Sequence, residues 1–463
     1  MKKAILVVIS LILGCALSAC WSEPEIEQDP NVLDDQSYQP ETVYIGCLLP
    51  FTGSDAERAE LLKAAQETAM LTVNGEHSVG WDVADTPGII GYGQAQLELV
   101  YADCGVEEEE EPAAGAKTPT ASDNAAPAEE EEEIDPAAAA AQSLIDMGVV
   151  ALIGAYRSQP TAAAAQVAAE AGVPLISGTA SLDSITDGES YDFGQWFDRL
   201  APTVDMHSRL FFAYIKHLNQ TQSAGITSVA LAYKDDYFGQ EVLRSFNEQA
   251  EAQGLKVVAR IAYKDETDDL ATAALRMMSN QPQAVFHYGD VADVTAFVNY
   301  YGQARFTPQA AFCYDVSYQD QAFREAAAAV KAEYWCGLSA LLPPAEDEDE
   351  AEDTAQASDI VSGDSKLFDY INSFYREQTG VDMDNEALYD FAAVIVLAQA
   401  VGRAGSTDPE LLSAALRENE FDAPYLASGR ISFTELGQNR YSTGYLTRVT
   451  ADGYEPAFKS LTE

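Results

Sequence analysis

The sequence predicts an α/β protein built as two doubly wound parallel-sheet lobes. Three observations carry the prediction. Short continuous apolar runs read as strands buried on both faces, amphipathic stretches of helical period separate them, and the same alternation restarts after Pro202. A length of 463 residues with 47% hydrophobic content is enough for two or three globular cores. The formal net charge of -49 argues against nucleic acid or an anionic membrane surface as a partner.

Residues 1–19 read as an export signal: Met1-Lys2-Lys3 precedes an apolar run and then Leu17-Ser18-Ala19-Cys20. That ending resembles a bacterial lipobox, so Cys20 is expected to be lipidated, with residues 20–40 as a polar tether. No later segment reads as long and apolar enough to span a membrane. The expected location is outside the cytoplasm, lipid-anchored to the cell envelope on its periplasmic or extracellular face, with contact to the membrane through the anchor only.

The body opens with a strand at 43–49, then Pro50-Phe51-Thr52-Gly53 and an amphipathic helix over 55–73 that stops at Asn74-Gly75. A Gly/Pro-rich loop leads to a strand at 96–102. Its Gly91-Tyr92-Gly93 is no dinucleotide fingerprint, because it precedes a strand and lacks the third glycine. Residues 106–135 and 345–363 are acidic insertions whose composition cannot bury enough apolar surface to order; solvated loops are expected there, and no EF-hand spacing occurs.

A helix over 136–147 leads into the most informative stretch. Residues 149–153 form a buried strand, Ser158 takes the N-cap position with Pro160 just inside the helix, and Gly172 ends an alanine-rich helix. A second buried strand, 173–176, runs into Ser177-Gly178-Thr179-Ala180-Ser181. Both hydroxyl-rich turns lie at carboxyl ends of parallel strands, where open α/β sheets bind ligands, and free N–H groups at a helix start attract a carboxylate. An ordinary helix cap is the competing role for Ser158.

After 196–202 come helix 205–218, strand 228–233, helix 240–253, strand 256–263, helix 269–278, strand 284–288, helix 293–303, strand 310–314, helix 319–330 and strand 334–341. Helices over 365–379, 385–404 and 409–417 follow. A hairpin of 429–433 with 441–449 closes the chain around Gly437-Gln438-Asn439. Two lobes enclose a cleft, and a cleft faced by strand ends is a binding site.

Catalysis has little support: His77, His207, His217 and His287 are scattered, with no Gly-x-Ser-x-Gly elbow or zinc spacing. No enzyme, metal or cofactor is expected. After loss of Cys15 with the signal and acylation of Cys20, Cys47, Cys104, Cys313 and Cys336 remain, and export permits disulfides. Cys313–Cys336 is the favoured pair because their strands are consecutive; buried free thiols are the alternative.

Several motifs occur here in the order of one family. Residues 45–53, the passage from Ala137 through Gly154 to Ser158, Gly172-Val173-Pro174-Leu175-Ile176-Ser177, Asp198-Arg199-Leu200-Ala201-Pro202, Asp235-Asp236-Tyr237-Phe238-Gly239 and residues 429–433 resemble the leucine/isoleucine/valine-binding proteins. These are type I periplasmic binding proteins that feed ABC importers, and the likeness covers roughly residues 42–450 outside the insertions.

The resemblance implies a venus-flytrap fold whose three crossovers form a hinge, placed near Pro202, Leu342 and Ser428. The N-terminal lobe is then 41–203 plus 343–428, and the C-terminal lobe 204–342 plus 429–463. It implies a monomer that captures an amino-acid-like ligand, or a close amide relative, for an ABC permease; a sensing receptor of the same fold without transport is the alternative, and a hydrolase on a novel arrangement comes third. In the family, residues matching Ser158, Thr179 and Ser181, flanking Ala180, hold the ligand carboxylate. The residue matching Asp315 takes the amine, helped by one near Asp205, with a loop-capping role as the alternative for Asp315. Those matching Arg58, Phe238 and Asp290 form the aromatic side of the pocket. Arg58 and Asp290 stand where tyrosines are common and Ala65 replaces a frequent glycine, so a more polar or cationic ligand than a branched aliphatic one is expected. The family's usual partner for a cysteine near Cys104 is replaced here by Arg157.

Overall fold

A computed structural model of the chain describes residues 41–106, 134–264, 270–342, 363–442, 444–450 and 453–459. The signal, the tether with Cys20 and most of both acidic segments lie outside the described residues.

The first sheet is built by β1 (Thr42–Leu49), α1 (Ala56–Val73), a short α2 (Asp82–Asp85), β2 (Gln96–Asp103), α3 (Pro136–Asp146), β3 (Ala151–Ile153), α4 (Ser158–Ala171), β4 (Leu175–Ser177) and β5 (Phe197–Arg199). All its strand pairs are parallel, in the order β2-β1-β3-β4-β5. Strand alternation sends Val43, Ile45, Cys47 and Ile153 to one core and Leu48, Leu152 and Leu175 to the other, so both faces are covered. Gly172 ends α4 in the left-handed conformation, φ 67°, which a residue without Cβ adopts without penalty.

The second sheet repeats the plan with α5 (Val204–Thr221), β6 (Ser228–Lys234), α6 (Tyr237–Ala252), β7 (Lys256–Tyr263), α7 (Leu270–Ser279), β8 (Ala284–Tyr288), α8 (Val291–Ala304), β9 (Ala310–Cys313), α9 (Gln321–Ala329) and β10 (Trp335–Ser339). Its parallel strands run β7-β6-β8-β9-β10, the same order as in the first sheet, and β13 (Tyr445–Thr450) and β14 (Gly453–Phe458) extend it antiparallel. The chain returns to the first lobe through α10 (Ser365–Thr379), α11 (Asn385–Ala404), α12 (Pro409–Glu418), β11 (Phe421–Ala423) and β12 (Gly429–Ile431).

Helix α11 corrects one expectation. By length and composition it is apolar enough to cross a membrane, yet nearly all of Asn385–Val401 is buried inside the first lobe against α1 and the ends of β3 and β4. A helix apolar all round has no solvent face, and a protein core satisfies it as well as lipid does. The expected terminal hairpin also differs. Gly429–Ile431 pairs with β11, and Tyr445–Thr450 pairs with β10 and β14; only a Phe433–Asn439 bridge closes the turn. Gln438 still bridges to Arg199 of β5, so the chain remains bonded to the first sheet beyond Ser428.

The hinge is stitched by buried polar groups. Asn385, at the head of α11, donates to the Leu338 carbonyl at 2.8 Å and accepts from the Ala340 amide at 2.9 Å. Its own amide donates to Gln319 of the second lobe at 2.9 Å.

The favoured Cys313–Cys336 bridge does not form, and both residues are free thiols, as are Cys47 and Cys104. Strands β9 and β10 are adjacent, but the register sets Cys336 opposite Phe312. Cys313 is one residue further on, so its side chain points to the other face of the sheet and lies in a different core. Peptide mapping without reductant should therefore recover Cys47, Cys104, Cys313 and Cys336 as thiols; a Cys313–Cys336 cross-linked peptide would contradict the register.

Helices α1 and α11 are joined by Arg58, which donates from Nη1 to Asp384 at 2.5 Å and from Nε to Glu386 at 2.8 Å. Burial pushes the Asp384 carboxyl up, but the guanidinium outweighs it and holds the acid below its ordinary value. Arg58→Met strands two part-buried carboxylates and should cost about 3 kcal/mol in denaturant unfolding. A loss below about 1 kcal/mol, the range of an exposed pair, would contradict this.

Candidate functional site: the cleft between the sheets

In each lobe the strand order reverses beside the first strand of the unit, at β1/β3 and at β6/β8. Loops leaving carboxyl ends at such a switch point diverge and leave a crevice.

On the first lobe, the loop after β1 is pinned by Asp103, whose Oδ1 accepts from the amides of Phe51 at 2.8 Å, Thr52 at 3.3 Å and Gly105 at 2.9 Å. The loops after β3 and β4 are tied to each other. Ser158 Oγ accepts from the amides of Ser181 at 3.0 Å and Leu182 at 3.1 Å, and Thr179 Oγ1 donates to the Ala155 carbonyl at 3.2 Å. Ser177 Oγ accepts from the amides of Thr179 and Ala180 at 3.3 and 3.0 Å. The amides from Thr179 to Leu182 thus serve to shape the loop. The first turn of α4 begins at Ser158, itself buried, and Pro160 withholds an amide there.

Arg157 takes the cap position of α4 in the left-handed conformation, φ 67°, and Ser158 is the first helical residue, one place later than the expected N-cap. A bulky residue holds such a backbone only where its surroundings fix it. Here the Arg157 guanidinium is locked two-pronged on Asp55, Nε to Oδ2 and Nη2 to Oδ1, both at 2.8 Å. That hydrogen-bonded carboxylate raises the Arg157 pKa further, burial opposes it, and Asp290 of the other lobe adds to the rise.

The second-lobe wall is aromatic. Phe238 stacks on Tyr288, with ring centroids 5.0 Å apart, and meets Tyr314 edge-on at 5.4 Å. Phe238 also packs against the apolar cluster of the first lobe that holds Ala180 and Leu182, so it bridges the cleft. Tyr288 donates to Asp236 at 3.2 Å, and Lys234 pairs with Asp290 at 2.5 Å. His207 lies 4.2 Å from the Tyr314 ring, and burial pushes it down to about 4.

Of the residues singled out from sequence, Ser158, Thr179, Ala180 and Ser181 are brought together on the first lobe, with Phe238 opposite. Asp290 stands at the end of β8 but is engaged by Lys234. Arg58 forms no part of an aromatic wall, because Asp384 and Glu386 hold its guanidinium. Asp205 is turned away from the cleft: its carboxylate accepts from Ser245 at 3.2 Å and Gln249 at 3.0 Å on α6 and pairs with Arg209 at 2.5 Å. Asp315 opens the 3-10 turn after β9, and its side chain lies outside the described residues. Sequence reasoning missed Asp55, Arg157, Tyr288 and Tyr314. The two tyrosines end or follow strands of the second sheet, so the switch-point rule that singled out Ser158 would have found them.

Comparison with known proteins agrees with this fold. The periplasmic binding protein family model matches residues 126–454. A Leu/Ile/Val-binding protein homolog 8 from Brucella abortus is 26% identical over 178 residues, 37% of this chain and 42% of that protein, so the match spans less than half the relative's length. The branched-chain amino acid transporter substrate-binding protein of Streptococcus pneumoniae, in complex with isoleucine, superposes with a TM-score of 0.63 at 17% identity, covering 90% of this chain and 100% of that one. A solute-binding protein of an ABC transporter from Rhodopseudomonas palustris, in complex with benzoate, gives 0.59 at 16% identity over 91% and 98%. With the family model spanning most of its length and two repeated parallel sheets facing one cleft, the chain belongs to the periplasmic binding protein family.

Proposed function

We propose that this chain is an extracytoplasmic solute-binding lipoprotein, anchored through Cys20, that captures a small amino-acid-like ligand between its lobes and delivers it to an ABC importer as a monomer. The observation that carries the reading is the pairing of walls across one cleft. Ser158 at the start of α4 and the loop 179–182 bonded to it stand on one side, and Phe238, Tyr288 and Tyr314 on the other. A helix start suits a carboxylate. Isoleucine and benzoate, the ligands named for two structural relatives, share that group.

In this reading Ser158, Thr179 and Ser181 form the carboxylate side. Asp315, at the matching end of β9, takes the amine, and Phe238 with the tyrosines covers the ligand's body. The lobes divide near Pro202, near Leu342 and after Asn439. A ligand that touches both walls binds the closed state better and draws the lobes together, with no chemistry required. The ion pairs Arg157–Asp55 and Lys234–Asp290 at the mouth favour a ligand with a polar side chain over a purely aliphatic one.

Calorimetry with L-leucine, L-isoleucine, L-glutamine and L-leucinamide tests this. At least one free amino acid should bind, and leucinamide, which lacks the carboxylate, should bind at least tenfold more weakly than leucine. Ser158→Ala should weaken amino-acid binding about tenfold, equivalent to about 1.4 kcal/mol. Asp315→Ala should abolish it while leaving melting of the ligand-free protein nearly unchanged. Equal affinity for leucine and leucinamide, or an intact affinity in Asp315→Ala, would contradict the assignment.

A further inference from the structure

The central helix of the first lobe carries an acid that the binding reading leaves unused. Asp390 is 2% exposed, on α11, directly beneath the loop that follows β4. Gln66 of α1 donates from Nε2 to its Oδ2 at 2.7 Å. On the other side a Cβ added to Gly178 would come within 2.2 Å of Asp390 Oδ1 and 2.9 Å of the Asp390 amide nitrogen. Gly178 therefore rests on the carboxylate itself, and only a residue without a side chain allows that approach. The next residues are Thr179, Ala180 and Ser181.

The pair is short of a donor. Gln66 Oε1 is buried without a hydrogen-bond partner, and an ionised carboxylate only accepts. The hydrogen bond that the pair does make, from Gln66 Nε2 to Asp390, favours the charged acid. The groups facing it are Arg58 and Gln66 of α1, Asp384 of its own helix, Cys47 of β1 and Tyr101 of β2, with Glu67 of α1 beyond Cys47. Strands β3 and β4, which cross α11, present no titratable side chain. Burial pushes the Asp390 carboxyl up to about 7, against the opposing pull of Gln66 and Arg58 and with a further push from Asp384.

We propose that Asp390 is a positioning residue of the ligand site, holding the loop through Gly178 and weakening anion binding there whenever it is charged. The inference rests on reading that loop as a carboxylate site. The sign follows from the charge. Below the folded pKa Asp390 is neutral and the loop accepts an anion freely. As pH rises through about 7 a negative charge appears under the loop, ligand carboxylate is repelled, and affinity falls. By linkage, a bound anion makes Asp390 hold its proton more tightly, so binding near pH 7 takes up protons. Stability of the ligand-free protein falls over the same rise, because the folded state binds a proton that the unfolded state has released.

Two measurements test this, on wild type, Asp390→Asn and Gln66→Leu, at several pH values between about 5.5 and 8.5. The first is amide hydrogen exchange of peptides covering residues 177–182 without ligand. Wild type and Asp390→Asn should coincide at the acid end and diverge at the alkaline end. The second is L-leucine affinity by calorimetry. It should weaken roughly threefold to tenfold in wild type toward alkaline pH and stay flat in Asp390→Asn. Gln66→Leu, which removes a group favouring the charged acid, should move the wild-type midpoint upward and keeps the test available if Asp390→Asn folds poorly. Exchange that coincides at every pH overturns the positioning role. Leucine that binds with the same affinity across the range in wild type overturns the charge effect. If exchange diverges as expected and none of L-leucine, L-isoleucine and L-glutamine binds any of the proteins, the ligand reading has failed and the positioning role stands.

Discussion

A fully buried guanidinium holds the hinge together. Arg199 ends β5, has 0% exposure, and has no carboxylate within ion-pair distance among the described residues. Its Nε donates to Gln438 at 2.8 Å and Nη1 to the Leu182 carbonyl at 2.5 Å, while Nη2 donates to Thr186. Burial pulls it down to about 10, so it stays charged at neutral pH, and removing a charge from water costs several kcal/mol unless hydrogen bonds satisfy it. Its main chain adds a bond from its amide to Gly437 at 2.7 Å and one from the Asn439 amide at 2.9 Å. Arg199 thus bonds the 437–439 segment and the loop that follows Ser181 into one unit, and that loop cannot shift without disturbing the junction.

The rest of the architecture can be read as a consequence of that junction. Two sheets with the same strand order are connected where they share a buried polar seam, and Gln438 continues it by donating to Ala201 and Ser442 at 3.1 Å each. Asn385 closes the second crossing in the same way, with amide groups rather than charges. Amides that both donate and accept hold strands that must bend, and they leave the apolar cores to stay within each lobe.

Much of the fold was legible in the sequence because parallel strands buried on both faces appear as short apolar runs, and β1, β6, β7 and β8 fall where those runs lie. Strand β5 was missed for a physical reason: two of its three residues, Asp198 and Arg199, are charged, and they are buried only because Arg417 and Gln438 await them from distant parts of the chain. The terminal hairpin failed likewise. Gly437-Gln438-Asn439 does turn the chain, but β12 and β13 find partners more than local turn chemistry can specify. The cysteine pair failed on a single-residue register that no spacing reveals.

The site was legible in part. Hydroxyls at strand ends marked the first-lobe wall, whereas acids gave a poor guide because the chain uses them for many tasks. Asp135, Asp236, Asp320, Asp364, Asp384 and Asp408 each cap a helix by accepting amides of its first turn. Asp205 looked like a cleft residue by resemblance, yet packing against α6 turned it away. The measurement that tests the central claim most directly is mass spectrometry of what the purified protein releases on denaturation. The account predicts a small molecule bearing both a carboxylate and an amine; a sugar, a phosphate ester or an amine without a carboxylate would contradict it.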